Sequence, residues 1–269
     1  MNPPVVLSIA GSDSGAGAGI QADLKTFAAL HVFATTAITA VTAQNTAEVR
    51  VVHPLPVEVV RAQIEAVLDD FPLTAVKTGM LATPEIVELV ASLAEAGRLP
   101  NLVVDPVLTS STGTQLLEEE AADLYLKRLL PVATAFTPNL LEASVLLGRE
   151  LRIVPDQRDA ARELATHTHG IVVITGGHAT SDSGDRACDV MSGAGVDDVI
   201  ARSRIDTVNN HGSGCSFASA IAAYIARGDD PARAIRSANA FVHRAIEGAA
   251  RWNLGSGHGP LDHFHWEEL

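Results

Sequence analysis

Two glycine-rich stretches each stand directly before a helix-like segment, where they could bind an anion. Residues 11–19 read GSDSGAGAG, and residues 209–215 read NNHGSGC. Free backbone N–H groups at a helix start, together with the helix dipole, attract a phosphate or the charge that develops in a transition state. Gly212, Ser213 and Gly214 would form such an anion cradle. The first stretch is not a Walker loop, because no Lys–Ser/Thr pair follows it, and it does not match the dinucleotide fingerprint.

A cysteine ends the second stretch at a position where its acidity could change. Cys215 falls in the first turn of the predicted helix, where the positive end of the helix favours a thiolate and lowers the pKa of a thiol. A thiolate can accept the proton of a hydroxyl group. The residues leave a second interpretation open, namely a small buried cysteine that packs the start of a helix.

Carboxylate and amide side chains follow two of the predicted strands. Asp105 ends the apolar strand 102–104, and a buried unpaired charge is costly unless it serves a metal ion or a hydrogen-bond network. Asn139 and Glu142 are three residues apart at a helix start and so share one face of that helix. The same spacing is that of a capping box, and capping is compatible with binding of water-coordinated magnesium.

The composition predicts a globular protein and excludes some partners. The 269-residue chain is 47% hydrophobic and 19% charged, which is typical of one large α/β unit. Its formal net charge of −13 argues against a partner that is a nucleic acid or a membrane surface, because both are polyanions. Two cysteines without paired spacing argue against a zinc site built from cysteines and against a disulfide framework. Without a signal peptide or a membrane-length apolar run, we expect a cytoplasmic location.

Short apolar strands alternate with amphipathic helices along the chain. We predict strands at residues 5–10, 35–42, 74–78, 102–104, 132–136 and 171–174. After a first helix that follows residue 19, we predict helices at residues 57–71, 84–97, 118–130, 139–147, 156–167, 214–227 and 231–251, and an edge hairpin within 187–208. This pattern indicates a mostly parallel sheet covered by helices on both faces, with a ligand site beyond the carboxyl ends of its strands. We expect a single domain, residues 1–269.

An ordered set of segments resembles the hydroxymethylpyrimidine/phosphomethylpyrimidine kinases of thiamine biosynthesis, which belong to the ribokinase-like superfamily. The resemblance runs through essentially the whole chain. The matching segments are SIAGSDSG (8–15), GAGIQADLKTF (17–27), TAQNT (42–46), KTGML (77–81), VDPV (104–107), TPN (137–139) with Glu142, GGH (176–178), HGSGC (211–215) and GHGP (257–260).

The resemblance implies both a fold and an activity. The fold is three-layered and ribokinase-like, with a central, mostly parallel β-sheet, helices on both faces and a small edge hairpin. The activity is ATP- and Mg²⁺-dependent phosphorylation of 4-amino-5-hydroxymethyl-2-methylpyrimidine and then of its monophosphate. The expected partners are therefore this small pyrimidine and ATP. A homodimer is also implied, although no segment of the sequence identifies its interface.

The resemblance further assigns roles on the pyrimidine side of the site. Gln44 matches the residue whose amide reads the aminopyrimidine edge, since an amide can donate and accept at once. The other positions that match the substrate pocket are Gly11, Asp23, Met80 and Val107. Met80 and Val107 would contact the ring, and Asp23 would meet the hydroxymethyl end.

The remaining roles concern phosphoryl transfer. Residues 212–214 match the anion hole of the family, and Cys215 matches its proposed base, a position at which many ribokinase-like enzymes carry aspartate. The positions that match the nucleotide and magnesium site are Asp105, Asn139, Glu142, Thr175 and Gly177. Mg²⁺ would be held by Asp105 and Glu142, through water.

Three positions depart from the family pattern, and each removes a cation near the phosphates. Thr175 stands where the family often has lysine, and residues 108–113 read LTSSTG in place of a run that contains lysine. Val208 replaces a basic residue before Asn209. Hydroxyl groups can hydrogen-bond a phosphate but cannot neutralise it. Weaker ATP binding, stronger magnesium dependence or loss of the second phosphorylation would follow.

Three other interpretations remain open. A pyridoxal or pyridoxine kinase shares the same architecture, although Gln44, Met80 and the closing GHGP segment favour the pyrimidine. The missing lysines suggest a catalytically weak, pyrimidine-binding relative. The histidine-rich end, with His258, His263 and His265, suggests zinc binding.

Overall fold

The computed structural model describes residues 2–108, 119–176 and 185–266. Its main sheet has eight strands in the order β10-β9-β8-β7-β6-β5-β1-β2. The strands of this sheet are β1 (Val5–Ala10), β2 (Phe33–Ile38), β5 (Leu73–Thr78), β6 (Leu102–Val104), β7 (Ala135–Phe136), β8 (Ile171–Ile174), β9 (Arg186–Gly193) and β10 (Val196–Ser203). The first six of these pair in parallel, whereas β9 and β10 run antiparallel at one edge.

Eight α-helices connect and cover the strands in the described part of the chain. They are α1 (Gly19–Ala29), α2 (Val57–Asp70), α3 (Pro84–Glu95), α4 (Glu119–Leu124), α5 (Leu140–Leu147), α6 (Val154–Ala165), α7 (Ser213–Ala226) and α8 (Pro231–Ala249). The predicted alternation of strand and helix is confirmed, and so is the edge hairpin, which is β9 and β10.

A separate apolar cluster packs against each face of the sheet. One cluster contains side chains of α2, α3, α5 and α6, such as Ile64 and Ile86. The other contains side chains of α1, α7 and α8, such as Phe27 and Phe217. The strands between them bury both faces, as Val103 and Val104 on β6 illustrate. The predicted three-layer arrangement follows from this packing.

A second, two-stranded sheet was not predicted. The predicted strand 35–42 is interrupted at Thr39, and the chain leaves the main sheet as β3 (Ala40–Gln44). It pairs antiparallel with β4 (Val49–Pro54), whose Val, Arg and His residues gave too weak an alternation to signal a strand. The outer face of this small sheet exposes Val41 and Val51, while Ala40 is buried. Because β3 leaves the plane of the main sheet, it carries Gln44 toward the glycine-rich loop.

The predicted helix 118–130 is shorter than expected in its regular part. After α4 the chain continues as a π-helical turn, Tyr125–Leu129, and then as a 3₁₀ turn, Leu130–Val132. Pro131 lacks an N–H group and so cannot continue the α-helical ladder. The predicted strand 132–136 is consequently only two residues long, because residues 130–132 still belong to the helical turn.

None of the helices in the described residues is both long and apolar enough to span a lipid bilayer.

Replacing Phe27 by alanine tests the contribution of α1 to the second cluster. Phe27 is fully buried, so the variant loses about 3–5 kcal/mol of unfolding free energy through lost burial and a residual cavity. Leu24→Ala, on the same helix but 37% exposed, is the control and loses less than about 1 kcal/mol. Urea denaturation measures both values. Equal losses in the two variants would contradict the assigned packing.

Candidate active site

The two glycine-rich loops lie against each other at the carboxyl end of β1. Residues 11–18 connect β1 to α1, and residues 209–212 lead into α7. Gly212 has a left-handed φ of 83°, and a Cβ atom there would come within 1.8 Å of the Gly17 carbonyl oxygen. Only glycine fits this contact. The starts of α1 and α7 therefore point into one region.

Asp13 organises the first loop. Its carboxylate accepts hydrogen bonds from the backbone N–H groups of Gly15 at 2.8 Å, Gly17 at 3.1 Å and Ala18 at 2.8 Å. It also lies 2.9 Å from Nε2 of His211. Burial raises the pKa of Asp13, but the hydrogen bonds from His211, Ala18 and Gly15 outweigh it and hold the pKa below the usual value. The carboxylate is therefore ionised and holds the backbone of residues 13–18 in this conformation.

Gln44 is held at the rim of the same loop. Its backbone N–H donates to Ser14 Oγ at 2.8 Å, and Ser14 Oγ donates to its carbonyl oxygen at 2.6 Å. Its side-chain amide lies 3.2 Å from His211 Nε2. The structure thus brings Gln44 next to the segment that begins α7. Its predicted role in reading a pyrimidine remains a prediction.

Asp23 is fully buried in an ion pair. Lys77 Nζ donates to its two carboxylate oxygens at 2.9 and 3.0 Å. The hydroxyl groups of Ser8 and Ser219 donate to it at 2.5 and 2.7 Å. The carboxylate therefore has four protein contacts, and its predicted contact with the hydroxymethyl group remains a prediction.

Gly11 and Met80 lie against each other. A Cβ atom on Gly11 would come within 2.4 Å of the Met80 methyl carbon, so this methyl group occupies the space above the glycine. Thr39 Oγ1 donates to the Met80 carbonyl oxygen at 2.6 Å and fixes the backbone there. Val107 is partly exposed and follows Asp105, whose carbonyl oxygen accepts from its N–H group at 2.9 Å. Gly11 and Met80 thus form one apolar surface.

Cys215 lies where the two helix starts converge, but its acidity differs from the sequence expectation. Cys215 is partly exposed at the surface. Desolvation by the surrounding protein, together with the charges of Asp105 and Asp23, outweighs Lys77 and the Gly19 N–H at the start of α1 and raises the pKa of Cys215 to about 12. The expected lowered pKa is wrong for the ligand-free protein. The helix field is weaker here than burial among carboxylates.

The anion cradle itself is open. The first backbone hydrogen bond of α7 runs from Ser216 N–H to the Gly212 carbonyl, so the N–H groups of Gly214 and Cys215 have no intrahelical acceptor. A Cβ atom on Gly214 would meet no atom within 4 Å. Gly214 is exposed, and Gly212 and Ser213 are partly exposed. This helix start can therefore approach a phosphate closely.

Asp105 and Glu142 are both buried carboxyl groups with raised pKa values. Burial raises the pKa of Asp105 to about 6, although Lys77 opposes the shift. Burial and then the charge of Asp105 raise the pKa of Glu142 above its usual value. Burial, together with the charges of Asp105 and Glu142, also raises the pKa of Tyr125. Asp105 Oδ2 is buried without a hydrogen-bond partner. A divalent cation would relieve this repulsion and take up the unpaired oxygen, so these residues fit Mg²⁺.

Asn139 and Glu142 also form the predicted capping box. Glu142 N–H donates to Asn139 Oδ1 at 2.9 Å, and Asn139 N–H donates to Glu142 Oε2 at 2.8 Å. Thr175 forms a parallel bridge with Asn139, and its N–H donates to the Pro138 carbonyl at 3.0 Å. Thr175 therefore lies beside the start of α5. Gly177 lies outside the described residues, as does all but the first residue of the segment 108–113.

The zinc interpretation gains no support. No group of three or more His, Cys, Asp or Glu side chains with metal-binding geometry occurs within residues 2–108, 119–176 and 185–266. His263 is buried, with Nε2 at 2.8 Å from Ser216 Oγ. Burial lowers its pKa to about 4, so the ring is neutral and structural.

Comparison with known proteins identifies the family. A model of the family described as phosphomethylpyrimidine kinase matches residues 13–262. The hydroxymethylpyrimidine/phosphomethylpyrimidine kinase of Bacillus subtilis is 43% identical to this chain over 258 residues, which cover 96% of the chain and 94% of the relative. The chain belongs to the phosphomethylpyrimidine kinase family. The predicted family and the prediction of a kinase are therefore confirmed.

Solved structures of similar proteins confirm the predicted ribokinase-like α/β fold. A phosphomethylpyrimidine kinase from Clostridium difficile is 37% identical, with a TM-score of 0.78, over 90% of this chain and 99% of that one. A Staphylococcus aureus pyridoxal kinase in complex with AMP-PCP and pyridoxal is 35% identical, with a TM-score of 0.88, over 100% of this chain and 96% of that one. The bound ATP analogue in that neighbour supports ATP as the nucleotide of this phosphomethylpyrimidine kinase family member.

The sequence did not reveal the side chains that hold the family motifs together. Asp13, His211, Lys77 and Ser219 were not assigned roles, although the first three lie inside the matched segments. One signal was available, because Lys77 is the single charged residue of the otherwise uncharged strand Leu73–Thr78. A buried lysine requires an acidic partner.

The raised pKa of Asp105 makes the ligand-free protein less stable as the pH rises. A folded-state pKa of about 6, above the ordinary 3.8, means that protonated Asp105 favours folding, so stability is lost between pH 4 and 6. Asp105→Asn therefore stabilises the protein at pH 7.5 by up to about 3 kcal/mol and much less at pH 4.

Urea denaturation at the two pH values measures this difference, and the exposed Asp123→Asn is the control. Millimolar Mg²⁺ raises the melting temperature of the unmodified protein at pH 7.5 but not that of Asp105→Asn. A pH-independent effect of the substitution would contradict the burial of an uncompensated carboxylate at Asp105.

Proposed function

We propose that this protein transfers the γ-phosphoryl group of ATP to the hydroxymethyl group of 4-amino-5-hydroxymethyl-2-methylpyrimidine, and then to the resulting monophosphate, in thiamine biosynthesis or salvage. The observation that carries this proposal is the placement of Gln44 beside an open helix start in a chain that matches the family over residues 13–262.

The pyrimidine would bind between Gln44 and the Gly11–Met80 surface. The amide of Gln44 can donate to a ring nitrogen and accept from the amino group, and Met80 with Val107 would contact the ring face. A side chain at Gly11 would displace the Met80 methyl group from this surface. This placement directs the hydroxymethyl group toward Cys215 at the start of α7.

The start of α7 would stabilise the transferring phosphoryl group. Its charge spreads over three oxygens in a loose transition state. The N–H groups of Gly214 and Cys215 have no intrahelical acceptor and would donate to it, whereas the Ser213 N–H donates to the Asn210 carbonyl at 3.2 Å. When bound, Mg²⁺ neutralises phosphate charge, and Asp105 and Glu142 would hold it through water. Asn139 and Thr175 lie beside Glu142 and would contact the nucleotide.

Two family positions for basic residues near the phosphates carry uncharged side chains here. Thr175 and Val208 occupy family positions for basic residues, and Val208 is 63% exposed. Lys77 does not substitute for them, because it is buried and bound to Asp23. We therefore propose that phosphorylation of the monophosphate is slower than phosphorylation of the alcohol.

Pyridoxal phosphorylation is the second candidate. The S. aureus pyridoxal kinase superposes on this chain with a higher TM-score than the C. difficile phosphomethylpyrimidine kinase, 0.88 against 0.78. Pyridoxal lacks the amino group that Gln44 would accept from. Gln44 therefore favours the pyrimidine.

ADP release with Mg-ATP and separate acceptors tests the proposed function. We expect turnover with the hydroxymethylpyrimidine, slower turnover with its monophosphate, and little with pyridoxal, with the products checked by mass. Gln44→Leu should raise KM for the pyrimidine tenfold or more, because about 1–3 kcal/mol is lost when the ring edge is left unpaired. Gln63→Leu, which alters a glutamine bound to the Ile38 backbone, is the control.

The acceptor results also separate the alternatives. A preference for pyridoxal would replace the proposal with the second candidate. Binding of the pyrimidine without ADP release would identify a non-catalytic relative, and an unchanged KM in Gln44→Leu would remove Gln44 from the pocket.

The raised pKa of Cys215 predicts how kcat depends on pH. If Cys215 accepts the hydroxyl proton, its thiolate fraction rises about tenfold per pH unit below its pKa, so kcat should rise from pH 7 to 9. Cys215→Ala should lower kcat at least 100-fold and leave pyrimidine binding unchanged. Cys215→Asp supplies a carboxylate base and should flatten the pH profile. Retained kcat in Cys215→Ala would contradict the base assignment.

We also propose a homodimer, which the resemblance implies, formed through the outer face of β3 and β4. This face exposes Val41 at 47% and Val51 at 54%. Light scattering should give twice the 28.1 kDa chain mass. The double variant Val41→Glu/Val51→Glu should halve it, whereas Val145→Glu on α5 should not. A monomeric unmodified protein would contradict this proposal.

A further inference from the structure

A buried carboxylate and imidazole join the two glycine-rich loops directly beside Gln44. The side chains of His211 and Asp13 are only 7% and 3% exposed, and Nε2 of the ring lies 2.9 Å from Oδ2 of the carboxylate. The same ring nitrogen lies 3.2 Å from the side-chain amide of Gln44. The phosphoryl-transfer roles proposed above use neither Asp13 nor His211.

The protonation of this contact follows from the surroundings of Asp13. Three backbone N–H groups donate to the carboxylate, which is therefore ionised and can only accept. Nε2 of His211 must then carry a proton and donate it to Asp13. This holds whether the ring is neutral or cationic, because both forms can carry a proton on Nε2.

The position of this proton determines the orientation of the Gln44 amide. The oxygen and nitrogen of a side-chain amide are distinguished only by their hydrogen-bond partners. An amide NH₂ facing Nε2–H would set donor against donor, whereas the amide carbonyl can share that proton with Asp13. The atom placed 3.2 Å from the imidazole is the amide nitrogen. Exchanging the two amide atoms puts the carbonyl there instead, and the planar amide then directs its NH₂ group away from the imidazole, toward a ligand.

The imidazole cannot move to relax this arrangement. A Cβ atom on Gly17 would lie 2.2 Å from His211 Cδ2, so the ring fills the space above that glycine. The His211 backbone N–H donates to the Gly259 carbonyl at 3.0 Å. Both the ring and its backbone are therefore fixed relative to the first loop.

We propose that Asp13 and His211 are positioning residues that orient the Gln44 amide and thereby select a ligand with a hydrogen-bond acceptor on its ring edge. The inference rests on the proposed function, because it deepens the role of Gln44 there. A 4-aminopyrimidine offers an unprotonated ring nitrogen, N3, beside its amino group. In the 4-oxo analogue the same nitrogen carries a proton and would clash with the amide NH₂.

The test compares kcat/KM for the 4-amino pyrimidine and its 4-oxo analogue. In the unmodified protein we expect a preference of at least 100-fold for the 4-amino compound. Asp13→Asn and His211→Leu should reduce this ratio at least tenfold, and His211→Gln, which retains an N–H donor, should restore part of it. A purely structural role would lower both kcat/KM values by the same factor and leave the ratio unchanged, which would overturn the proposal.

A matched control separates selectivity from loop stability. Gln21 Oε1 accepts from the Asp13 backbone N–H at 2.8 Å and so anchors the same loop through its backbone. Gln21→Ala should leave the ratio unchanged. A fall in the ratio as large as that of Asp13→Asn would show that loop disorder alone explains the effect, and would overturn the proposal.

A second measurement tests the Asp13–His211 contact and does not depend on turnover. Nitrogen-15 NMR of labelled histidine, with the His211 signal assigned by its loss in His211→Gln, reports which ring nitrogen is protonated in the ligand-free protein. We expect a protonated Nε2 at pH 7.5. An unprotonated Nε2 would overturn the proposal even if the kinase activity is found. If no acceptor is phosphorylated, the proposed function is contradicted instead, and the NMR measurement still tests whether His211 Nε2 donates to Asp13.

Discussion

The buried ion pair between Lys77 and Asp23 fixes the elements that carry the site. Its atoms belong to β5 and α1, and the hydroxyl groups that complete it come from Ser8 on β1 and Ser219 on α7. Removing two charges from water costs several kcal/mol per ion, so the pair is tolerable only when its geometry satisfies both charges. Asp23, with four contacts, meets this condition. The Asp23 side chain therefore fixes β1, β5, α1 and α7 relative to one another.

The position of the site follows from the way this ion pair fixes the four elements. The first glycine-rich loop lies between β1 and α1, the anion cradle begins α7, and β5 leads directly to Met80. Gly79 is required just after Lys77, because a Cβ atom there would lie 2.8 Å from Nζ. The lysine of the KTGM segment thus acts as a structural cation. It is not available to bind phosphate, whereas helix starts and a bound cation can supply positive potential for the nucleotide.

Two buried carboxyl groups, Asp105 and Glu142, lie where a cation would be needed. Burial raises the pKa of both, the charge of Asp105 raises that of Glu142 further, and Asp105 leaves one oxygen unpaired. Burial, together with Asp105 and Asp23, keeps the Cys215 thiol neutral. Binding of a nucleotide with its cation would change the charge around all three groups at once.

Much of this architecture could be predicted from the sequence, because strands apolar on both faces and helix-start glycines are local signals. The β3–β4 sheet was missed because the alternation of apolar and polar residues in β4 is weak, and the irregular turn Tyr125–Leu129 depends on packing. The pKa of Cys215 was predicted to be lowered but is raised, since the helix start is visible in the sequence but the carboxylates around the thiol are not. The Asp13–His211 and Asp23–Lys77 contacts join residues 198 and 54 positions apart, and no local pattern reveals such pairs.

A double-mutant cycle on Lys77 and Asp23 tests most directly whether the buried pair determines the structure. Urea denaturation would compare Lys77→Met, Asp23→Asn and the double variant, with the exposed Lys127→Met as control. We expect Lys77→Met to lose about 3–5 kcal/mol because it leaves Asp23 uncompensated, and the double variant to lose less than the sum of the single losses by at least about 2 kcal/mol. Additive losses, each below about 1 kcal/mol, would contradict the account.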